Sequence, residues 1–169
     1  KKVISMRKKI LLTFMILFFT CICFAGQISV QIVQHNLALD YVSEQSLIVE
    51  DELLNGFFDK GYIVTNSKAQ VSDSDEIDGE LLNEGFGEAY DGSSDYFVQV
   101  KLYYDTSRIK GVSDASPCPL DHIDWVMLKC SSGETLVKSS VKGSRNKPGS
   151  DENIRSVSVS LISDIQKAL

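Results

Sequence analysis

Hydrophobic and polar positions alternate along Asp95–Asp105. Tyr96, Val98, Val100, Leu102 and Tyr104 fall on one side of an extended chain, and Phe97, Gln99, Lys101 and Tyr103 fall on the other. Side chains alternate faces along a strand, so this stretch predicts a strand with one apolar and one half-polar face. A strand buried on both faces reads as an unbroken apolar run, which this is not. It is therefore expected at the centre of a sheet whose helices cover one side. Gln27–Val33 alternates too, with Ile28, Val30 and Ile32 against Ser29, Gln31 and Val33, and predicts an earlier strand.

Between these strands the period changes. Ser43 reads as an N-cap ahead of Leu47, Ile48, Leu54, Phe57 and Phe58 at helical spacing. Gly61 stands where a helix end needs positive φ, and Tyr62–Thr65 follows as a short strand. Such a βαβ unit implies parallel strands joined by a right-handed crossover. Asp73–Asp91 predicts a second helix with a broken stripe of Ile77, Leu81, Leu82, Phe86, Ala89 and Tyr90. Gly79, Gly85 and Gly87 each weaken it by ~1 kcal/mol relative to alanine, so packing must hold it. A second crossover then leads back to the central strand.

His122–Cys130 and Thr135–Lys142 flank the turn Ser131-Ser132-Gly133-Glu134 and predict a hairpin. Ser150 caps a last helix, with Asp151 and Glu152 in its first turn and a face of Ile154, Val157, Leu161, Ile165 and Leu169. The expected fold is α/β (α+β), a two-layer sandwich in the order β-α-β-α-β-β-β-α. It has a mixed sheet of about five strands and three helices on one face.

Charge separates the first 26 residues from the rest. Residues 1–26 carry Lys1, Lys2, Arg7, Lys8 and Lys9 and no acid, and Ile10–Phe24 is apolar but for Thr13 and Thr20. A basic start, a short apolar run and small Ala25 and Gly26 read as a signal peptide cleaved near Gly26. The run is shorter than the roughly 20 apolar residues of a spanning helix. Alternatives are an uncleaved leader and a lipid on Cys21 or Cys23. Residues 27–169 are expected to form a single domain. It holds 12 basic against 23 acidic residues, a net of −11. So acidic a body repels phosphate backbones, which excludes nucleic acid as a natural partner and leaves the leader or a lipid as the route to a membrane.

The pattern resembles the small α/β domain of bacterial envelope accessory proteins. The residues that carry the resemblance are Asn55-Gly56-Phe57-Phe58-Asp59-Lys60-Gly61-Tyr62-Ile63-Val64, Ala89-Tyr90 leading into Asp95-Tyr96-Phe97-Val98, and the hairpin from Met127 to Leu136. Families of this kind are the penicillin-binding-protein activator lipoproteins, the curli secretion lipoprotein and the N-terminal domain of the Tol-Pal translocation protein. The resemblance implies a non-catalytic adaptor located in the periplasm or outer envelope of a bacterium.

Candidate chemistry is sparse. Nine acidic residues lie from Asp73 to Asp95, but the spacing fails as a calcium loop: with Asp73 as position one, the fifth position is Ile77 and the sixth is Asp78, where a glycine is needed. They read as a solvated helix face. His35 and His122 sit in no ligand or triad pattern, and no nucleophile motif accompanies them. No catalytic residue, metal site or cofactor is assigned. Cys118 and Cys130 form a disulfide or stay free thiols; an unbroken strand between them favours free thiols. The surface expected to work is the outer sheet face, with Gln31, Phe97, Gln99, Lys101, Tyr103 and Lys138 as candidates for partner binding. The long 106–121 loop is a second candidate. The expected function is thus an exported, non-enzymatic adaptor that binds an envelope protein. The alternatives are a periplasmic small-ligand-binding protein and a cryptic hydrolase.

Overall fold

The computed structural model describes residues 26–107, 118–143 and 150–169. The leader with Cys21 and Cys23, most of the 106–121 loop, and Arg145 and Lys147 lie outside the described residues.

Strand β1 (Gln27–His35) carries the parallel half of the sheet. It pairs with β2 (Ile63–Asn66) and the two-residue β3 (Gln70–Val71) on one side, and with β4 (Tyr96–Tyr104) on the other, all in parallel. β4 then pairs antiparallel with β5 (Leu120–Lys129), and β5 with β6 (Glu134–Lys142). The spatial order β2-β1-β4-β5-β6 puts β4 in the middle, where its alternation predicted it. Three helices complete the mixed α+β fold in the expected order: α1 (Glu44–Phe58), α2 (Asp75–Asp91) and α3 (Asp151–Gln166). Ser43, Ser74 and Ser150 cap them, each hydroxyl accepting from a backbone N–H three residues on.

The apolar face of the sheet presents Ile28, Val30 and Ile32 of β1 beside Val98, Val100 and Leu102 of β4. Helices α1 and α3 pack on this face through Val49, Leu53 and Phe57, and through Ile154, Val157, Leu161 and Ile165. Gly61 takes φ 88° after α1, the conformation that turns the chain toward β2.

Helix α2 departs from the expected arrangement, because it lies on the opposite face. Leu82, Phe86 and Ala89 pack with Phe97 of β4 and Val126, Leu128 and Cys130. Phe86 meets Phe97 edge to face with centroids 6.3 Å apart. Two helices therefore share one face and the third covers part of the other. The cause is a second apolar patch on the half-polar face, built by Phe97, Val126 and Leu128 from two adjacent strands. Burying Phe97 alone contributes roughly 2–3 kcal/mol. A solvated sheet would forgo that.

Candidate functional site

The α2 placement decides which expected surface residues reach solvent. Gln31, Phe97 and Gln99 are 1%, 0% and 2% exposed, so the face they share is not open. Gln99 Nε2 donates to Gln31 Oε1 at 2.9 Å, a bond between register partners beneath the helix. Two facing amides thereby satisfy each other in a place where an unpaired one would be costly. The helix comes close because Gly85 sits over Gln31; an added Cβ there would lie 2.7 Å from Gln31 Nε2.

Lys101, Tyr103 and Lys138 keep access. Between the first turns of α2 and strands β4, β5 and β6 runs an open cleft of about 570 Å³. Asp75, Asp78 and Leu82 form the helix wall, Gln99, Lys101 and Val126 the floor, and Asp124, Lys138 and Ser140 the far side. The outer face of β6 is largely uncovered, with Lys138 and Ser140 exposed. β6 ends the sheet, so among the described residues no strand pairs with its other edge.

At one end of the cleft the charges are locked together. Asp78, 6% exposed, meets Lys101 Nζ at 2.9 Å and His35 Nε2 at 2.9 Å. Burial pushes the Asp78 carboxyl up, but hydrogen bonds from Ser72 and Lys101 and the charges of His35 and Lys101 outweigh it and leave the pKa lowered. Burial likewise pulls Lys101 down, while Asp78 and Tyr103 outweigh it and leave the amine raised. Each shift favours the charged form. Acid–base catalysis near neutrality needs the reverse, a carboxyl raised or an amine lowered.

Beside this pair, three rings stack across three strands. His35 of β1, Tyr103 of β4 and His122 of β5 are register partners in turn. Their centroids lie 4.4 Å and 4.3 Å apart, with planes 16° and 6° from parallel. Asp121 Oδ2 lies 2.8 Å from His122 Nδ1. Both histidines had no local motif, and 87 residues separate them. Only strand register joins them, and register is not visible in a local pattern. Among the described residues no cluster of three or more histidine, cysteine or acidic side chains suits a metal ion.

Cys118 and Cys130 are buried free thiols. They stand at the two ends of β5, whose ten residues span about 33 Å, far beyond the roughly 7 Å a disulfide allows. Among the described residues no helix is long and apolar enough to cross a membrane.

An acidic α+β domain with an open cleft and a free sheet edge is the class of protein defined so far. A family model described as "Uncharacterised protein" matches residues 27–169, and the chain belongs to that family. No curated protein matches the sequence. Solved structures similar in fold include the dodecamer of a single-substitution PelC variant from Paraburkholderia phytofirmans (14% identity, 86% of this chain and 88% of that one, TM-score 0.45). TolB of Acinetobacter baumannii is similar at 16% identity over 85% of this chain and 28% of that one, with a TM-score of 0.42. The LpoB C-terminal domain of Salmonella enterica is similar at 12% identity over 70% of this chain and 84% of that one, with a TM-score of 0.37. These three likenesses concern the arrangement of strands and helices alone.

Proposed function

We propose that this chain is an exported, non-enzymatic adaptor that binds a protein partner along the uncovered face and free edge of the β5–β6 hairpin. The observation that carries the reading is the juxtaposition of that edge with the charged cleft. A partner strand added to β6 would gain main-chain hydrogen bonds, and its alternate side chains would turn toward Lys138, Ser140 and the cleft. Lys138 and Lys142 sit on the edge strand, where they discourage self-pairing and favour segments bearing acidic residues. The basic, apolar leader supports export. A cut before Gly26 or Gln27 leaves a soluble domain, and a lipid on Cys21 or Cys23 would tether it.

A second reading has one observation in its favour. The cleft volume of about 570 Å³ falls in the range of small-molecule pockets, and Asp75, Lys101, Asp124 and Lys138 converge on it. The discriminating experiment is crosslinking with mass spectrometry on the tagged full-length chain in its native envelope, with the N-terminal mass read from the same sample. A reproducible protein partner joined at Lys138 or Lys142, and lost on Val137→Pro in the edge strand, supports the adaptor. A partner that survives Val137→Pro in a folded variant, or no partner above background, moves the assignment to the small ligand.

A further inference from the structure

A second cleft lies on the other side of the molecule, where the carboxyl ends of β1 and β2 meet the start of α1. Its volume is about 670 Å³. The segment after β1 contributes Asp40, Tyr41 and Val42, helix α1 contributes Leu47 and Glu50, and the segment from Asn66 to Val71 closes it. Crevices outside the carboxyl ends of parallel strands are where open α/β sheets place ligands.

Glu50 makes this cleft more than a surface dent. The residue is 8% exposed, yet it lines the cavity. Its carboxylate accepts a hydrogen bond from Asn66 Nδ2 at 2.9 Å. Among the described residues no lysine, arginine or histidine forms an ion pair with it. A buried carboxylate held by a neutral amide and no cation is the less stable way to bury a charge. Asn66 itself lines the cleft, so the Glu50–Asn66 pair faces it from two elements. Val42, Leu47, Ala69 and Val71 supply apolar wall, and Asp40 adds a second carboxylate to the lining. Tyr41 and Leu47, 53% and 45% exposed, and the exposed Lys68 line its open side.

The segment that builds one wall is fixed from below. Gln34 Nε2 donates to the Tyr41 carbonyl at 2.9 Å, and Gln34 Oε1 accepts from the Ser43 N–H and the Ser46 hydroxyl, both at 2.7 Å. The cleft is therefore preformed.

From this geometry we infer that the cleft binds a small ligand with an ammonium group and an aliphatic body, the ammonium paired with Glu50. Lys68 stands at the mouth to receive a carboxylate, so a free aliphatic amino acid is the simplest such ligand. The acidic body, net −11 beyond residue 26, draws cations toward it. This site is separate from the β5–β6 face and stands whether or not that face binds a protein.

The test uses three probes of one shape on the full-length chain in nonionic detergent, followed by amide shifts in NMR and by calorimetry. Leucinamide keeps the ammonium, N-acetylleucine keeps only the carboxylate, and leucine carries both. Leucinamide and leucine are expected to shift resonances of residues 40–42 and 66–71, including the Asn66 side-chain amide, while N-acetylleucine does not. Glu50→Gln is expected to weaken leucinamide binding about tenfold or more. Lys68→Met is expected to spare leucinamide and remove any advantage of leucine. Leu47→Lys alters an exposed position, so it does not depend on Glu50 tolerating substitution; its tethered ammonium should block both amines. Absence of shifts with both amines, equal binding of N-acetylleucine, or unchanged binding in a folded Glu50→Gln or Leu47→Lys overturns the inference.

Discussion

Gly85 of α2 rests on the carboxamide of Gln31 in β1, so close that a methyl group on the glycine would lie 2.7–2.8 Å from its nitrogen, carbon and oxygen. Gln31 is not free to swing away, because it is 1% exposed and bonded to Gln99. The contact is what seats a helix on the half-polar sheet face.

Gly85→Ala is therefore expected to destabilise the fold by about 1 kcal/mol, overpacking outweighing the gain in helix propensity. Gly79 and Gly87 belong to the same helix and meet nothing within 4 Å of an added Cβ. Replacing either with alanine is expected to stabilise by about 0.5–1 kcal/mol. Denaturant midpoints of the three variants check the opposite signs. A common sign would show that helix propensity alone decides.

That glycine also explains what could be read in the sequence and what could not. The alternation in β4, the N-caps Ser43 and Ser150 and the βαβ unit depend on local periodicity, and they placed three helices and five strands, while the two-residue β3 is too short to show a period. Gln31 and Gln99 also alternate as solvent-facing residues do. Their burial depends on each other and on a helix about fifty residues from one and fifteen from the other. The usable signal was Leu82, Gly85, Phe86 and Ala89, a narrow stripe of apolar and small residues at spacings of three and four. Read as a contact stripe and not as weak points in the helix, the glycines would have assigned α2 a surface of its own. The His35–Tyr103–His122 stack offered no such signal, since it exists only once β1, β4 and β5 are in register.

The buried Asp78 carboxylate gives a prediction in pH. Its pKa is lowered in the folded chain, so its contribution to stability is complete above the unfolded value near 4 and is lost as pH falls through the folded value. Lys101 has the opposite sign: its raised pKa contributes fully below about 10.5 and is lost as pH climbs through the folded value. Asp78→Asn should flatten the loss of stability below about pH 4. Lys101→Met should cost about 2 kcal/mol at neutral pH by leaving a buried carboxylate without its lysine partner. Urea unfolding across pH 3 to 10 measures both.

The two thiols should behave as buried groups. Burial, then the nearby charge of Asp95, pushes the Cys130 thiol up from its ordinary range, which suppresses the reactive thiolate. Alkylation at pH 7.5 followed by residue-resolved mass spectrometry is expected to leave Cys118 and Cys130 unmodified in the folded chain. Both should react fully in urea without reductant. A disulfide-linked peptide pair containing them would contradict the ten-residue strand that holds them apart.

The polar cluster beneath α1 sets the last prediction. The Ser46 hydroxyl donates to Gln34 Oε1 at 2.7 Å and lies 2.9 Å from the Tyr104 hydroxyl, where it can accept. Burial first raises the Tyr104 pKa, the Ser46 and Ser43 hydroxyls oppose the rise, and Cys118 adds to it, so the phenol stays protonated and remains a donor. Ser46→Ala removes the link and leaves two buried polar groups short of a partner, at about 2 kcal/mol. Tyr104→Phe removes one partner and its need together, and should cost about 1 kcal/mol. Because Gln34 also holds the Tyr41 carbonyl, Ser46→Ala should loosen residues 37–43 more than Tyr104→Phe does. Hydrogen exchange at Ser43 and Leu47, whose amides donate to Gln34 Oε1 and the Ser43 carbonyl, reads that difference directly. Equal protection in the two variants would mean that the loop is held by its own turn and not by the network beneath it.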